Sequence, residues 1–395
     1  MDDSSLRTHD FRRILLIKLS AVGDVIHTIP VLNKLRRRYP RARIDWLVRP
    51  EIADLVRAHP AVSNVLLFAR QKWRQPLRSG WSAAHNLAGL VSQIRATQYE
   101  LVIDMHGQFR TALFTLASGA PVRIGFDRPR PEVRVATDRR LPVQAYRHGW
   151  TGAREGSWIA YTHPIRIATL DVHAVDRYLG VSPMLGLDAD PPDFSLVIPP
   201  ASVASAANLL VQHGMPEGAV SSGLVVLAPG TMWETKHWRS EAFAEVARHF
   251  LATRRPVVLV GSAADRRVCA EIASDAAGSI DLSGCTSLTQ LAAIIRMAAI
   301  CVTNDSGPMH LAVALNRPIV AIFGPSDALW IGPYRQPEAV VSANLSCAPC
   351  YLRTLNRCPH DHACMREVSA ASVIERAESM LADVSRIAAA SAGRH

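Results

Sequence analysis

The chain opens its ordered pattern with Ile14, Leu15, Leu16 and Ile17, four apolar residues in a row. A run of that length with no alternation fits a strand buried on both faces of a parallel sheet. Ser20-Ala21-Val22-Gly23-Asp24 turns the chain, and from Val25 the apolar positions (Ile26, Ile29, Leu32, Leu35) take helical spacing. The rhythm then repeats. Residues 44–48, 64–68, 101–104 and 121–126 read as further strands, with helical patterns at 83–95 and 111–116 between them. After residue 223 it returns, with buried strands expected at 224–227, 256–260, 300–303 and 318–323. Strands alternating with helices predict mostly parallel sheets joined by right-handed crossovers. Each strand of the second half runs into a polar, glycine-bearing turn.

Two stretches break the rhythm. The first is residues 127–166: between Pro121 and Ile167 stand nine arginines against four acids, with Pro129, Pro131 and Pro142 opposing a long helix. This predicts a basic surface excursion. Asp188-Ala189-Asp190-Pro191-Pro192-Asp193, Pro199-Pro200 and the segment 214–223 mark a linker zone. The simplest architecture is two Rossmann-like sheets.

Composition narrows the class. The 395 residues suffice for two domains, and 49% hydrophobic with 20% charged residues are globular values. A net charge of +10 suggests an anionic partner. Neither a signal peptide nor an apolar run long enough to span a bilayer is apparent, so a cytoplasmic location is expected. Seven cysteines, an odd number confined to the last third, argue against a secreted disulfide scaffold.

Candidate chemistry sits at the strand ends. Asp24 follows the first strand, at the edge where open α/β sheets bind ligands. Two roles are open to it, general base or helix cap. Thr303 to His310 leaves a strand and enters a helix whose free N–H groups and dipole suit a pyrophosphate, with ordinary capping by Asp305 or Ser306 as the plainer reading. In Pro229 to Trp238, Lys236 can neutralise phosphate charge or be a surface lysine beside a tryptophan. No Walker A loop, glycine-triplet dinucleotide fingerprint, HExxH zinc site or GxSxG elbow occurs. The basic residues lack the aromatic interleaving of a nucleic-acid platform.

The segments KLSAVGDVIHTIP, IDMHG (103–107), HAVDRY (173–178), APGTMWETKHW (228–238) and NDSGPMHLAVALNRP (304–318) together resemble family 9 glycosyltransferases, the bacterial heptosyltransferase group. The resemblance implies an α/β GT-B fold, two Rossmann-like domains facing each other across a cleft. Residues 1–195 would form the acceptor-binding domain and 196–395 the nucleotide-sugar-binding domain, with the last helix free to dock back on the first. It implies an inverting transfer of heptose from ADP-heptose to the Kdo-lipid A inner core of lipopolysaccharide. Asp24 matches the family's base. Thr231 and Lys236 match phosphate contacts, and Asp305, Ser306, Gly307 and His310 the pyrophosphate and donor-sugar motif. Asp265 stands near the family's ribose acid. Lys72 and Arg74 resemble its basic acceptor loop, and His106 and Arg154 fall in acceptor-side segments. The implied partners are a nucleotide-sugar donor, an anionic lipid-linked glycan and, as a peripheral contact, the inner-leaflet surface. No cofactor is required if Lys236 and the helix dipole supply the positive charge. Alternatives are another nucleotide sugar, a protein or other glycan acceptor, or a catalytically silent binder of anionic ligands.

Cys347, Cys350, Cys358 and Cys364 have the spacing C-x₂-C-x₇-C-x₅-C. Both a structural tetrahedral zinc or iron site and an unmetallated thiol loop fit it. Its place after the last strand–helix unit suggests a structural role away from the chemistry.

Overall fold

A computed structural model describes residues 3–69, 76–129, 152–167, 169 and 171–392. The chain divides into two compact units, Met1–Val197 and Ile198–His395. Lys72 and Arg74 lie outside the described residues, as does the excursion from 130 to 151.

The first unit is built on β1 (Arg13–Ile17), β2 (Arg43–Val48), β3 (Asn64–Leu67), β4 (Leu101–Asp104), β5 (Val122–Phe126) and β6 (His163–Ile165). They run in the order β3-β2-β1-β4-β5-β6, every pair parallel. Ile14 to Ile17 are fully buried, as a run without alternation requires. β6 gives no apolar run to read, because its three residues include a histidine and a proline at the sheet's edge.

Three helices matter to the first site. They are α1 (Val22–Arg38), α2 (Phe109–Ala117) and α3 (Ala174–Leu179). α1 begins three residues before the helical spacing does. Ala21 is extended and serves as its N-cap, which makes Asp24 the third helical residue. Far along α1, Lys34 donates to the Asp188 carboxylate at 2.5 Å and to the carbonyls of Asp188 and Asp190 at 2.9 and 2.7 Å. Asn33 donates to the Asp193 carbonyl at 2.9 Å. The Asp- and Pro-rich stretch read as linker is therefore strapped to α1, and a 13-residue helix (Pro200–Gln212) follows it.

The second unit repeats the plan. β7 (Val225–Ala228), β8 (Val257–Leu259), β9 (Ile280–Asp281), β10 (Ile300–Asn304), β11 (Ile319–Phe323) and β12 (Val340–Ser342) form a parallel sheet in the order β12-β11-β10-β7-β8-β9. Edge strands β9 and β12 are two and three residues long, too short for a period to register. α4 (Ser240–Ala252), α5 (Gly307–Ala314) and α6 (Ala370–Ala392) flank it. Phe243 and Phe250 of α4 and Val373 and Ala377 of α6 share one core with Val302 and Val320. No helix among the described residues is long and apolar enough to cross a membrane.

Both sheets change direction of winding once, between β1 and β4 and between β7 and β10. Ligands of open α/β sheets bind beyond the carboxyl ends at such switch points. The turns found there are those after β1, β4, β7 and β10, which carry Asp24, His106, Lys236 and Asp305.

Candidate functional site

Each unit presents one constellation at its switch point. In the first, Asp24 is not the N-cap of a helix starting at Val25 but the third residue of α1, its side chain reaching back to the true N-cap, Ala21. Its Oδ2 accepts the Ala21 N–H at 3.1 Å, closing the start of α1. Its Oδ1 accepts the Tyr178 hydroxyl proton at 2.9 Å. The side chain still keeps 43% of its surface open. Burial, the largest influence, pushes its pKa up. The Lys18 ammonium, the Ala21 N–H and Tyr178 together outweigh it and hold the carboxyl below the ordinary carboxylate value.

Lys18 is buried. Its Nζ donates to the Tyr178 hydroxyl at 2.5 Å and to the Met105 carbonyl at 2.9 Å, and stands 3.6 Å from Asp24 Oδ1. Desolvation lowers its pKa, and Asp24 and Asp104 partly restore it. The fully buried Asp104 carboxylate shapes the turn after β4. Its Oδ1 accepts the N–H groups of His106 and Gly107 at 2.9 and 3.1 Å, and its Oδ2 the Tyr161 hydroxyl at 2.9 Å. Gly107 sits at φ +62°, where only glycine is unstrained. Burial, then Lys18, lowers His106 to about 3, so its ring is neutral at working pH. Arg154 donates its backbone N–H to Gly107 O at 2.9 Å, and its charge bears on Lys18 and His106. Asp24, His106 and Arg154 thus share one neighbourhood. Lys18, Asp104 and Tyr178 complete it, and sequence reasoning assigned them no role. Their only signal was position: Lys18 and Asp104 at the ends of apolar runs, Tyr178 inside HAVDRY.

In the second unit, Asn304 ties the two key turns together. Its amide donates to Pro229 O at 2.7 Å, and its carbonyl accepts Trp238 N–H at 3.3 Å. Lys236 Nζ meets Asp305 Oδ2 at 2.5 Å, both side chains no more than 10% exposed. The same oxygen accepts the Ser326 hydroxyl at 2.5 Å. Thr231 donates to Asp305 O at 3.3 Å. Lys236 also lies 4.2 Å from the Trp233 ring centre, and Arg353 4.8 Å from the same ring. Ser306 is the extended N-cap of α5, Gly307 its first residue, and His310 sits in its first turn, buried. Asp265 Oδ2 accepts from Ser262 N and Oγ, both at 2.7 Å. Its carboxylate lies so near Gly230 that a Cβ there would stand 2.3 Å from it. Thr231 and Lys236 follow β7, Asp265 follows β8, and Asp305, Ser306, Gly307 and His310 run from the turn after β10 into the first turn of α5. Asn304, Trp233, Ser326 and Arg353 were not foreseen.

The cysteine segment departs from expectation in its position. Thr235 donates to Leu352 O at 2.5 Å, Leu355 N–H to Glu234 Oε2 at 3.1 Å, and His362 Nε2 pairs with Thr235 O at 2.7 Å. The segment is therefore strapped to the Lys236 turn, not remote from it. Cys347, Cys350, Cys358 and Cys364 line one pocket with His360. Among the described residues no group of three or more His, Cys, Asp or Glu side chains is placed to hold a metal ion. Burial, followed by the neighbouring Cys350, Cys347 and Cys358, pushes the Cys364 thiol up to about 11.

What this arrangement can do is accept a proton at one switch point and compensate an anion at the other. The family model described as "Glycosyltransferase family 9 (heptosyltransferase)" matches residues 87–148 and 133–357. Lipopolysaccharide heptosyltransferase 1 of Pseudomonas aeruginosa is 30% identical over 345 residues, 87% of each chain. The enzyme of that name from Escherichia coli K12 is 26% identical, over 84% of this chain and 93% of its own. Among solved structures, a glycosyl transferase family 9 protein from Veillonella parvula aligns with TM-score 0.74 at 21% identity, covering 95% of this chain and 98% of that one. E. coli heptosyltransferase WaaC with ADP aligns at TM-score 0.68 and 24% identity, covering 93% and 99%. These likenesses carry the GT-B fold.

Proposed function

The chain belongs to glycosyltransferase family 9, and from that premise we propose that it transfers heptose from ADP-heptose to the Kdo-lipid A inner core of lipopolysaccharide. The likeness to lipopolysaccharide heptosyltransferase 1, over 87% of both chains, supports heptosyl transfer onto lipopolysaccharide. The presence of ADP in the WaaC structure supports the nucleotide.

The chemistry follows from the two constellations. An acceptor hydroxyl attacks the anomeric carbon from the face opposite the leaving group. The new C–O bond forms as the bond to the nucleoside diphosphate breaks, and the hydroxyl proton passes to Asp24. Products are the lengthened glycan, ADP and one proton. Asp24 suits the task because it is ionised, partly open, and hydrogen-bonded on both oxygens. Lys236 suits the leaving diphosphate. It is a cation held at a strand end beside the N-terminus of α5, whose N–H groups and dipole add to it. In the ligand-free pair Asp305 balances that charge, so an entering diphosphate shares Lys236 with it. The four thiols take no part.

The acceptor is lipid-anchored, so the net charge of +10 favours weak attachment to the anionic inner leaflet. The test is a donor screen with purified protein and isolated Kdo-lipid A, read by mass spectrometry. A mass increase of one heptose with ADP-heptose alone supports the reading. Transfer of another sugar, or none to this acceptor, overturns it.

A further inference from the structure

Asp24 does not meet Lys18 directly. At 3.6 Å their contact is too long for a good hydrogen bond, and the Tyr178 hydroxyl fills the gap, 2.5 Å from Nζ and 2.9 Å from Oδ1. The direction of this chain is set by donor counting. An ammonium has three N–H donors and no acceptor. Tyr178 therefore accepts from Lys18, and its single proton is left for Asp24. The remaining Lys18 donors go to Met105 O and toward Asp24, so the ammonium is spent inside the unit. Tyr178 itself is fixed by packing. It is buried on α3, with the Phe126 ring at 6.0 Å, the His27 ring at 6.5 Å and the Lys18 ammonium 4.5 Å from its own ring centre.

We propose that Tyr178, backed by Lys18, is a positioning residue for Asp24: its hydroxyl fixes the rotation of the carboxylate and keeps it ionised, so that the uncommitted lone pairs meet the acceptor hydroxyl. The inference rests on Asp24 being the base. It assigns Tyr178 no contact with substrate. A partly open carboxylate held only by the Ala21 N–H would rotate about its side-chain bonds. The hydroxyl bridge removes that freedom, and alignment of reacting atoms is where much of a catalyst's advantage lies.

Other groups around Asp24 set the background. His106 faces it from the turn after β4 and is neutral above about pH 4. Asp104 bears on Lys18, as does the guanidinium of Arg154. Arg177 and Arg154 bear on Tyr178, whose pKa lies well above its ordinary value through burial and then Asp24. His27 and His173 stack edge to face beside it, 5.0 Å apart.

The experiment compares wild type with Tyr178→Phe in the full-length protein, a change that keeps the ring and removes only the hydroxyl. Two readouts are taken. One is the carboxyl-carbon NMR titration of Asp24 in ligand-free protein, assigned with Asp24→Asn. The other is the pH dependence of kcat with KM for both substrates. A lost hydrogen bond to the charged form raises a carboxyl pKa, so the Asp24 midpoint and the acid limb of kcat should both move up by about one to two pH units. At neutral pH kcat should fall about tenfold with both KM values within about twofold, as loss of alignment predicts. Lys18→Met should move the midpoint the same way. A purely structural Tyr178 would lower the melting temperature and leave the midpoint in place, and that result overturns the inference. Should Asp24→Asn turn over like wild type, the base reading fails, while the ligand-free midpoint still reports whether Tyr178 governs Asp24.

Discussion

Asp24 uses both oxygens inside its own unit: Oδ2 accepts the Ala21 N–H at the start of α1 and Oδ1 accepts a hydrogen bond from the Tyr178 hydroxyl. Asp24→Asn is therefore a sharper probe than its isosterism suggests. The amide oxygen can keep the Ala21 bond, but its NH₂ then faces a hydroxyl whose proton already points at it. The fold should survive, and turnover should fall by two to four decades, roughly the worth of a general base. Circular dichroism checks the first expectation and single-turnover kinetics the second. Wild-type turnover would leave the cap as Asp24's only role. Lys236→Ala removes the cation from a pair that is almost closed to solvent and strands Asp305 beside Ser326. It should cut kcat by about two to three decades, the usual effect of losing one preorganised charge-stabilising group. An unchanged kcat with a raised donor KM would reduce Lys236 to a binding contact.

At the scale of elements, the Cys347–Cys364 segment behaves as a strap on the turn that carries Lys236. His362 and Leu352 both hold Thr235, next to Lys236, while Arg353 shares the Trp233 ring with it. His362→Ala should therefore lower donor kcat/KM by about tenfold, roughly what one lost hydrogen bond is worth, although its partner is a backbone carbonyl and not a ligand. An unaltered kcat/KM would make the strap a passive cover. The same hydrogen bonds hold the segment to its neighbours, and we expect it to be unmetallated. Elemental analysis of untagged protein should find less than about a tenth of an equivalent of zinc or iron per chain. α1 offers a second element-scale test. Arg37, followed by Lys34, holds the Asp188 carboxyl well below its ordinary value against the opposing effect of burial. A depressed folded-state pKa contributes stability that is complete above the unfolded value of about 4 and is lost as pH falls below it. Asp188→Asn should flatten that acid slope in urea titrations. An identical slope would place the acid sensitivity elsewhere.

Across the whole molecule, one strand order is used twice, and the alternation behind it, though not the order itself, was legible. Uninterrupted apolar runs such as Ile14–Ile17 and Ile319–Phe323 announce strands covered on both faces, and the polar turns after them mark the sheet edge where chemistry collects. The edge strands β6, β9 and β12 were not legible, because two or three residues cannot display a period. Nor were Lys18 and Tyr178, 160 residues apart in sequence, since only folding brings a buried ammonium to a phenol. The anchoring of the linker was not legible for a related reason. Asp188 looks like solvated loop until Lys34 and Arg37 reach it. With two separate cores, heating should resolve two transitions, and ADP should raise only the one that belongs to the second unit. A single transition with equal calorimetric and van't Hoff enthalpies would contradict this. Lys72 and Arg74 test the proposed division of labour. Replacing both with Ala should weaken acceptor capture and its salt dependence while leaving donor affinity alone. A change confined to donor affinity would undo that assignment.

The Trp233 ring, with Lys236 on it at 4.2 Å and Arg353 at 4.8 Å, has an optical consequence. Indole emission responds to charges close to the ring, and these two are held there by the ligand-free arrangement. A diphosphate that draws Lys236 toward itself changes the field on the chromophore, so the protein carries its own fluorescent gauge of donor occupancy. The chain has eight tryptophans, and the Trp233→Phe difference spectrum isolates this one. A titration of ADP against that difference signal would then follow the donor half of the reaction without label, acceptor or turnover.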